Sequence, residues 1–469
     1  MTESISIKKG VDVQLDIESL AFGGMGVAHH NEMVTFVKNA IPGQKVTARI
    51  TKKRSSYLEA RTLEVLNESP HFINEKCEHF SDCGGCSFQN LDYNKQIAAK
   101  ENQVKDVFRK IGGFPDVECK PIIKCEEIYY YRNKMEFTFS NNEYVPENEK
   151  GRKPLNFALG LHAPGIWDKI LNINECHIQT KIANEILQTI KELTKRLTPY
   201  NLRDHTGFLR NVMIRAGVNT NDVMVNIITS RENTKVLFPI VKFLIEKFPS
   251  ITSIVNNITS RKVAVTFEHQ VVLYGNEYLL EKLGDYTFMI SADSFFQTNT
   301  KQAEKLYKIV LEECDLTGSE IVYDLYCGIG SISLYISKYA KMIYGFELIM
   351  STINDAMQNA ANNKVKNAWF FAGNLENLFR DNLEIQNLDL PDVVIVDPPR
   401  TGLHKKTIKD IISKSPNRIV YVSCNPATQA RDIALFCCGK YNLTKIRPVD
   451  MFPHTPHIEN VATLIRNKS

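Results

Sequence analysis

A chain of 469 residues is too long for one ordinary hydrophobic core, and its length predicts about three domains. No apolar run approaches the roughly 20 residues that span a bilayer, and Met1 to Gly10 carry no signal-peptide pattern, so a cytoplasmic protein without a membrane partner is expected. Eleven cysteines in such a chain exclude a disulfide framework, while a net charge of +4 does not by itself identify a polyanionic partner.

Residues 1–67 read as a small β-barrel. Val11 to Ile17, Met33 to Val37 and Lys45 to Ile50 alternate apolar and polar side chains, and Gly23-Gly24-Met25-Gly26 and Pro42-Gly43 supply turns between them. Strands this short predict an OB-like module, whose open face commonly binds oligonucleotides. Lys45, Arg49, Lys52, Lys53 and Arg54 add cations with no acid between them, suited either to RNA or to a solvated strand face. Leu66 to Pro70 read as a linker.

Residues 68–285 form a central α+β region. Cys77, Cys83 and Cys86 flank Gly84-Gly85, and Cys176 follows much later, so four thiolates are available to close one metal site. Ligand spacing does not separate zinc from an iron–sulfur cluster, although it differs from the Cys-x3-Cys-x2-Cys pattern of radical enzymes. Tyr93 to Ile111 carry helical spacing, with Ile97, Val104, Val107 and Phe108 on one face. Lys134 to Ser140 and Val223 to Thr229 read as strands, and the polar run Asn141 to Lys153 as an exposed hairpin loop or insertion.

Over 286–469, strands at Glu320 to Leu325, Met342 to Phe346, Ala368 to Phe371, Val393 to Val396 and Arg418 to Val422 alternate with helical stretches. That alternation predicts a doubly wound, Rossmann-like, mostly parallel sheet, making the whole chain an α/β protein. Asp324 ends the first strand and leads through Gly328-Ile329-Gly330 into a helix, a turn that lets backbone approach a ligand. Glu347 ends the next strand, where such folds place an acceptor for ribose hydroxyls, and Asn374 ends the third. The short glycine signal leaves little room for a pyrophosphate cradle, and this, together with the resemblance described below, favours S-adenosylmethionine over a nicotinamide dinucleotide.

Cys424 follows the apolar run Ile419 to Val422, and Asn425-Pro426 break the strand there, so the thiol is expected to face the crevice as a nucleophile. Asp397-Pro398-Pro399-Arg400 end another strand at the same edge, with proline holding the carboxylate rigidly. Glu459 alone reads as a solvated surface acid, but its partly apolar neighbours would raise its pKa by desolvation and suit it as a base, so the combination with Cys424 and Asp397 carries that expectation. Cys314, Cys437 and Cys438 read as small buried hydrophobes.

These residues make the chain similar to the S-adenosylmethionine-dependent RNA (uracil-C5)-methyltransferases, and most of all to the bacterial branch acting on 23S ribosomal RNA. The resemblance runs through a TRAM-like barrel with Gly23 to Ala28, the four cysteines, Leu209-Arg210-Asn211, Phe295 to Asn299, Asp324 to Gly330, Asp397 to Arg400, Ser423 to Thr428 and Asp450 to Thr455. It implies that Gln297, Tyr326, Glu347, Asn374 and Asp397 line the S-adenosylmethionine site, and that Cys77, Cys83, Cys86 and Cys176 hold a 4Fe-4S cluster. It further implies that Cys424 adds to uracil C6, that Glu459 removes the C5 proton, and that a monomer acts on ribosomal RNA. Ser331 departs from the family pattern, standing where a close relative has a cofactor-contacting asparagine.

A transfer RNA enzyme with the same chemistry is the alternative. It is expected to share only the catalytic part, so that the barrel and cysteine loop point to ribosomal RNA. A methylthiolating enzyme fits less well, because its barrel follows the catalytic part. A non-catalytic, metal-containing RNA-binding protein would have no use for Cys424, Asp397 and Glu459.

Overall fold

The structure, a computed structural model, describes residues 8–262 and 267–467. At the N-terminus six strands form one sheet in the order Asp12–Asp16, Lys45–Lys53, Tyr57–Asn67, Met33–Lys38, Gly26–His30 and Ser19–Leu20. Alternate side chains Val46, Ala48, Ile50, Leu58 and Ala60 are buried on its inner face, the period-two pattern of a half-buried strand. A Cβ on Gly26 would stand 2.9 Å from the Ile17 side chain, so glycine is required where these segments cross. Two members of the basic cluster are engaged within the barrel, Arg49 with Asp12 at 2.7 Å and Lys52 with Glu59 at 2.8 Å. Tyr57–Asn67, the longest barrel strand, runs into the segment expected to be a linker. Its exposed end alternates too weakly to be seen in the sequence.

The central region is built on an eight-stranded mixed sheet, with helices Lys181–Thr194 and Thr234–Lys247 burying their apolar faces against it. Lys134–Ser140 and Val223–Thr229 are strands over the predicted ranges. The run 141–153 is only partly a free loop. Glu143 in it is 3% exposed and accepts hydrogen bonds from Arg152, Asn172 and the Leu155 amide. Polar composition suggested solvent, but here the polar groups satisfy one another.

The C-terminal sheet is numbered here from its own first strand: β1 (Ile321–Leu325), β2 (Met342–Glu347), β3 (Ala368–Ala372), β4 (Val393–Val396), β5 (Arg418–Ser423), β6 (Tyr441–Val449) and β7 (Glu459–Arg466). Their order is 3-2-1-4-5-7-6, with β1 to β5 parallel and β7 antiparallel to both β5 and β6. Strands β1, β4 and β5 are nearly all apolar and buried, as expected of parallel strands covered on both faces.

Two domain limits read from the sequence require correction. The helix Tyr93–Val107, continued by a wider turn over Phe108–Gly112, packs Ile97, Val104, Val107 and Phe108 into the core formed by Leu325, Ile419 and Ile433. Glu118–Cys119 then adds an edge strand beside β6. Residues 93–123 therefore join the C-terminal sheet, although they fall within 68–285. The limit at 285/286 likewise bisects a hairpin, Tyr278–Leu283 with Tyr286–Ser291, whose Leu279, Phe288 and Ile290 share the C-terminal core. An amphipathic pattern reveals which face is buried but not which core it enters. No described helix is long and apolar enough to cross a membrane.

Candidate active site

Parallel strands bring their carboxyl ends to one edge, and the expected site residues fall along that edge in spatial order. Asn374 follows β3, Glu347 ends β2, Tyr326 follows β1, Asp397 follows β4, Cys424 follows β5 and Glu459 begins β7. The antiparallel register of β5 and β7 pairs Ser423 with Asn460, so Cys424 and Glu459 are the next opposed positions. Gln297 comes from the loop before helix Thr300–Cys314 and is buried. That loop is tied to the segment preceding Glu459 by Asn299 donating to the Met451 carbonyl and Gln302 to the Asp450 carbonyl.

The β1 turn has the form of a ligand cradle. Tyr326, Gly328 and Gly330 have φ of 66°, 54° and 78°, an uncommon conformation for a tyrosine. A Cβ on Gly330 would meet the Phe370 ring at 2.9 Å, whereas one on Gly328 would project into open space. Glu347 receives the amides of Gly328, Leu348 and Ile349 at 3.3, 2.7 and 3.3 Å, which fixes the carboxylate beside the turn. Leu348, Ile349 and Met350 then expose a short apolar rim. Asp324 is fully buried and receives Ser333 at 2.5 Å, but its other oxygen has no partner among the described residues. Burial lifts its pKa to about 7. Burial pushes the Tyr326 hydroxyl up to about 12, with Thr407 opposing the rise. Ser331, the departure from the family pattern, bonds Tyr307 at 2.9 Å. An orphaned buried carboxylate oxygen, an open glycine turn and a fixed acceptor suit a cationic nucleoside cofactor.

At the other end of the edge, burial raises Cys424 to about 11, and Glu459 and Asp397 add to the rise. Arg400 opposes them by a hydrogen bond and its charge, and its guanidinium also lies 3.3 Å from His457. Burial and the adjacent Asp397 hold Glu459 well above the usual carboxylate range. Asp397 itself is lifted to about 7 by burial and by Asp324. In the sequence Arg400 appeared only as the last residue of the Asp397-Pro398-Pro399-Arg400 run. Its contact with the thiol comes from the turn after Pro398-Pro399, which no local pattern discloses.

The four cysteines surround a separate cavity of about 20 Å³, closed by Phe80, Met135, Leu161 and Ile173. Burial pushes Cys77 to about 11 and Cys83 and Cys86 to about 12, and raises Cys176. Among the described residues no three His, Cys, Asp or Glu side chains converge tightly enough to hold a single metal ion. The cysteine loop touches the segment that precedes Glu459, since the amides of Ser87 and Phe88 donate to the His454 carbonyl at 2.8 and 3.1 Å. Of the cysteines read as buried hydrophobes, Cys314 is buried, Cys437 is partly so, and Cys438 is exposed at the end of its helix, where a turn lifts it off the core.

Residues 253–467 match the family described as tRNA (uracil-5-)-methyltransferase, and residues 8–63 match the TRAM domain. A protein from Porphyromonas gingivalis, named an uncharacterized RNA methyltransferase, is 40% identical over 97% of this chain and 100% of its own. The chain belongs to the RNA uracil-5-methyltransferase family. A second relative of this methyltransferase with the same name, from Bacteroides thetaiotaomicron, is 39% identical over 95% of this chain and 99% of its own. Among solved structures, the Pyrococcus abyssi tRNA (uracil-54, C5)-methyltransferase in complex with S-adenosyl-L-homocysteine covers 96% of this chain and 99% of its own, at 29% identity and a TM-score of 0.75. This methyltransferase therefore shares its whole architecture with a transfer RNA enzyme. The expectation that such enzymes resemble only the catalytic part is corrected, and the barrel no longer discriminates between the two RNAs. The S-adenosylmethionine-dependent methyl transfer of the family fits the cradle at the carboxyl edge.

Proposed function

We propose that this methyltransferase transfers a methyl group from S-adenosylmethionine to C5 of a uridine through a covalent adduct between Cys424 and C6. The reading is carried by one observation, the opposition of Cys424 and Glu459 at the ends of β5 and β7 beside Asp397 and Arg400. Uracil C5 is a weak nucleophile and its vinylic proton is not acidic, so direct substitution is closed to a side-chain base. Thiolate addition removes both obstacles.

The Cys424 sulfur bonds C6 while the C5–C6 π pair moves into an enolate, with the thiol proton passed to solvent or a nearby acceptor. The cofactor, when bound, supplies an electrophilic methyl to C5. Glu459, whose ionised form is a strong acceptor because its burial disfavours charge, takes the C5 proton. The electrons of that C–H bond re-form the double bond as the C6–S bond breaks. Arg400 favours the thiolate both when it attacks and when it leaves. Gln297, Tyr326, Glu347, Asn374 and Asp397 are the residues we assign to the cofactor. The target base must leave its stack to reach the thiol, and Phe295, 65% exposed, offers a ring against the extruded uracil.

We assign Cys77, Cys83, Cys86 and Cys176 to a 4Fe-4S cluster. The support is the donor set, since the four thiols line one small and largely apolar cavity and four thiolates are the ligands such a cluster takes. Its positive charge would ionise thiols that burial otherwise keeps protonated.

The substrate we favour is 23S ribosomal RNA, on the likeness of the motifs to that bacterial branch. Transfer RNA is the second reading, favoured by the full-length likeness to the Pyrococcus enzyme. The test offers unmodified ribosomal and transfer RNA, each tritiated at uracil C5, to anaerobically purified protein with S-adenosylmethionine. Tritium release from ribosomal RNA, lost in Cys424→Ala, is expected. Release from transfer RNA alone would reassign the substrate, and methylation without release would overturn C5 substitution.

A further inference from the structure

The face of the central sheet turned away from its two helices carries a cavity of about 750 Å³, a size typical of sites for small ligands. Its floor is a set of cross-strand rows two residues apart. Asn211 lies between Thr138 and Ile228 and Met213 between Glu136 and Asn226, and the next row along the strands sets Lys134 of the lining beside Arg215, which is buried beneath it. Successive rows stand roughly 7 Å apart along the strands, so the floor is a track rather than a point. At one end, buried Arg215 donates to the Ser294 carbonyl at 2.8 Å, immediately before Phe295. The track therefore ends at the loop that bears the expected uracil-stacking ring and Gln297.

Three features of this cavity call for a ligand. Asn226 is 2% exposed and its side-chain oxygen has no hydrogen-bond partner among the described residues. Lys134 is half-buried, and burial together with the neighbouring Arg215 lowers its pKa to about 8. No hydrogen bond or ion pair engages its ammonium among the described residues. Trp167, one of only two tryptophans in the chain, stands 64% exposed at the rim. Across the floor, Asn211, Thr138 and His162 form a hydrogen-bonded series at 3.2 and 3.4 Å that presents further polar edges.

Building on the methyl-transfer reading, we propose that this cavity is a second nucleotide site, which takes a single-stranded nucleotide flanking the target uridine. Its base stacks on Trp167, its amide and amine hydrogens meet Asn226 and Glu136, and its phosphate meets Lys134. An acidic side chain beside a lysine disfavours the continuous phosphate row of a duplex. It suits one unstacked nucleotide, whose base supplies donors and whose backbone supplies a single charge. Aromatic stacking tolerates any base, so the site selects an unpaired position more than a sequence.

The test is ultraviolet cross-linking of the full-length protein to in vitro transcripts of 23S ribosomal RNA and of transfer RNA, followed by mass mapping. Equilibrium binding is measured on the same RNAs. A cross-linked nucleotide on the peptide containing Trp167 is expected. Trp167→Ala should weaken RNA binding by about tenfold or more, the loss of one stacked base, with S-adenosylhomocysteine binding and melting temperature unchanged. Lys134→Gln should lower the slope of log affinity against log salt by about one. Cross-links confined to the barrel and the Cys424 edge, Trp167→Ala binding like the parent, or no binding of either RNA would each overturn the site. Tritium release from C5 of the same transcripts is read separately. Release with an unaffected Trp167→Ala protein removes this cavity but keeps the methylation. Trp167 cross-links without release remove the methylation but keep the cavity.

Discussion

Cys424, the proposed nucleophile, shows how little a sequence neighbourhood reveals of a thiol's chemistry. Position after a buried strand was legible, but the thiol's surroundings come from two other chain segments, and their charges oppose one another. Burial with Glu459 and Asp397 pushes the thiol to about 11, while Arg400 pulls it down. In the free protein, therefore, the thiolate fraction grows as pH rises. Alkylation of the Cys424 peptide, followed by mass spectrometry, should accelerate about tenfold per pH unit between neutral pH and about 10. Arg400→Gln removes the one influence of these that favours the thiolate, so its alkylation at any fixed pH should be slower and its profile displaced to higher pH. An unchanged profile in Arg400→Gln would show that the guanidinium does not act on the sulfur.

At the scale of elements, the loop 450–457 that precedes Glu459 is held from three sides. Helix Tyr93–Val107 supplies Lys100, which pairs with Asp450 at 2.5 Å with both side chains buried, and Tyr93, which donates to the same carboxylate. Gln96 of that helix accepts the His454 amide, and the cysteine loop donates to the His454 carbonyl. From the barrel, Gly24 lies so close to Pro456 that a Cβ would stand 3.1 Å from its ring. Lys100→Met leaves a carboxylate buried without its counter-charge and should cost about 3–5 kcal/mol in urea unfolding, whereas the double change Lys100→Met/Asp450→Leu should cost much less. Equal losses would mean that packing rather than charge governs the pair. For the cysteine loop, anaerobically purified protein should contain iron and acid-labile sulfide in equal amounts. Cys86→Ser should lose both and speed hydrogen exchange over 450–458. Zinc without sulfide would contradict the cluster.

Across the whole molecule, what the sequence disclosed follows from the range of the signals. Period-two alternation and buried runs act locally, so Lys134–Ser140, Val223–Thr229 and Val393–Val396 were placed to the residue. The carboxyl edge was legible too, because strand ends in a parallel sheet converge whatever the loops do. Domain membership was not, since helix Tyr93–Val107 and hairpin 278–291 bury faces in a core far along the chain. The roles of Arg400, Lys134 and Asn226 also lay outside local pattern, because each depends on a neighbour from another strand. The proposed methyl transfer turns on the bond between Cys424 and uracil C6. Glu459→Gln protein, incubated with S-adenosylmethionine and unmodified RNA and then denatured, should retain RNA covalently, with the Cys424 peptide carrying a 5-methylated uridine. No adduct from Glu459→Gln, together with full methylation by Cys424→Ala, would contradict it.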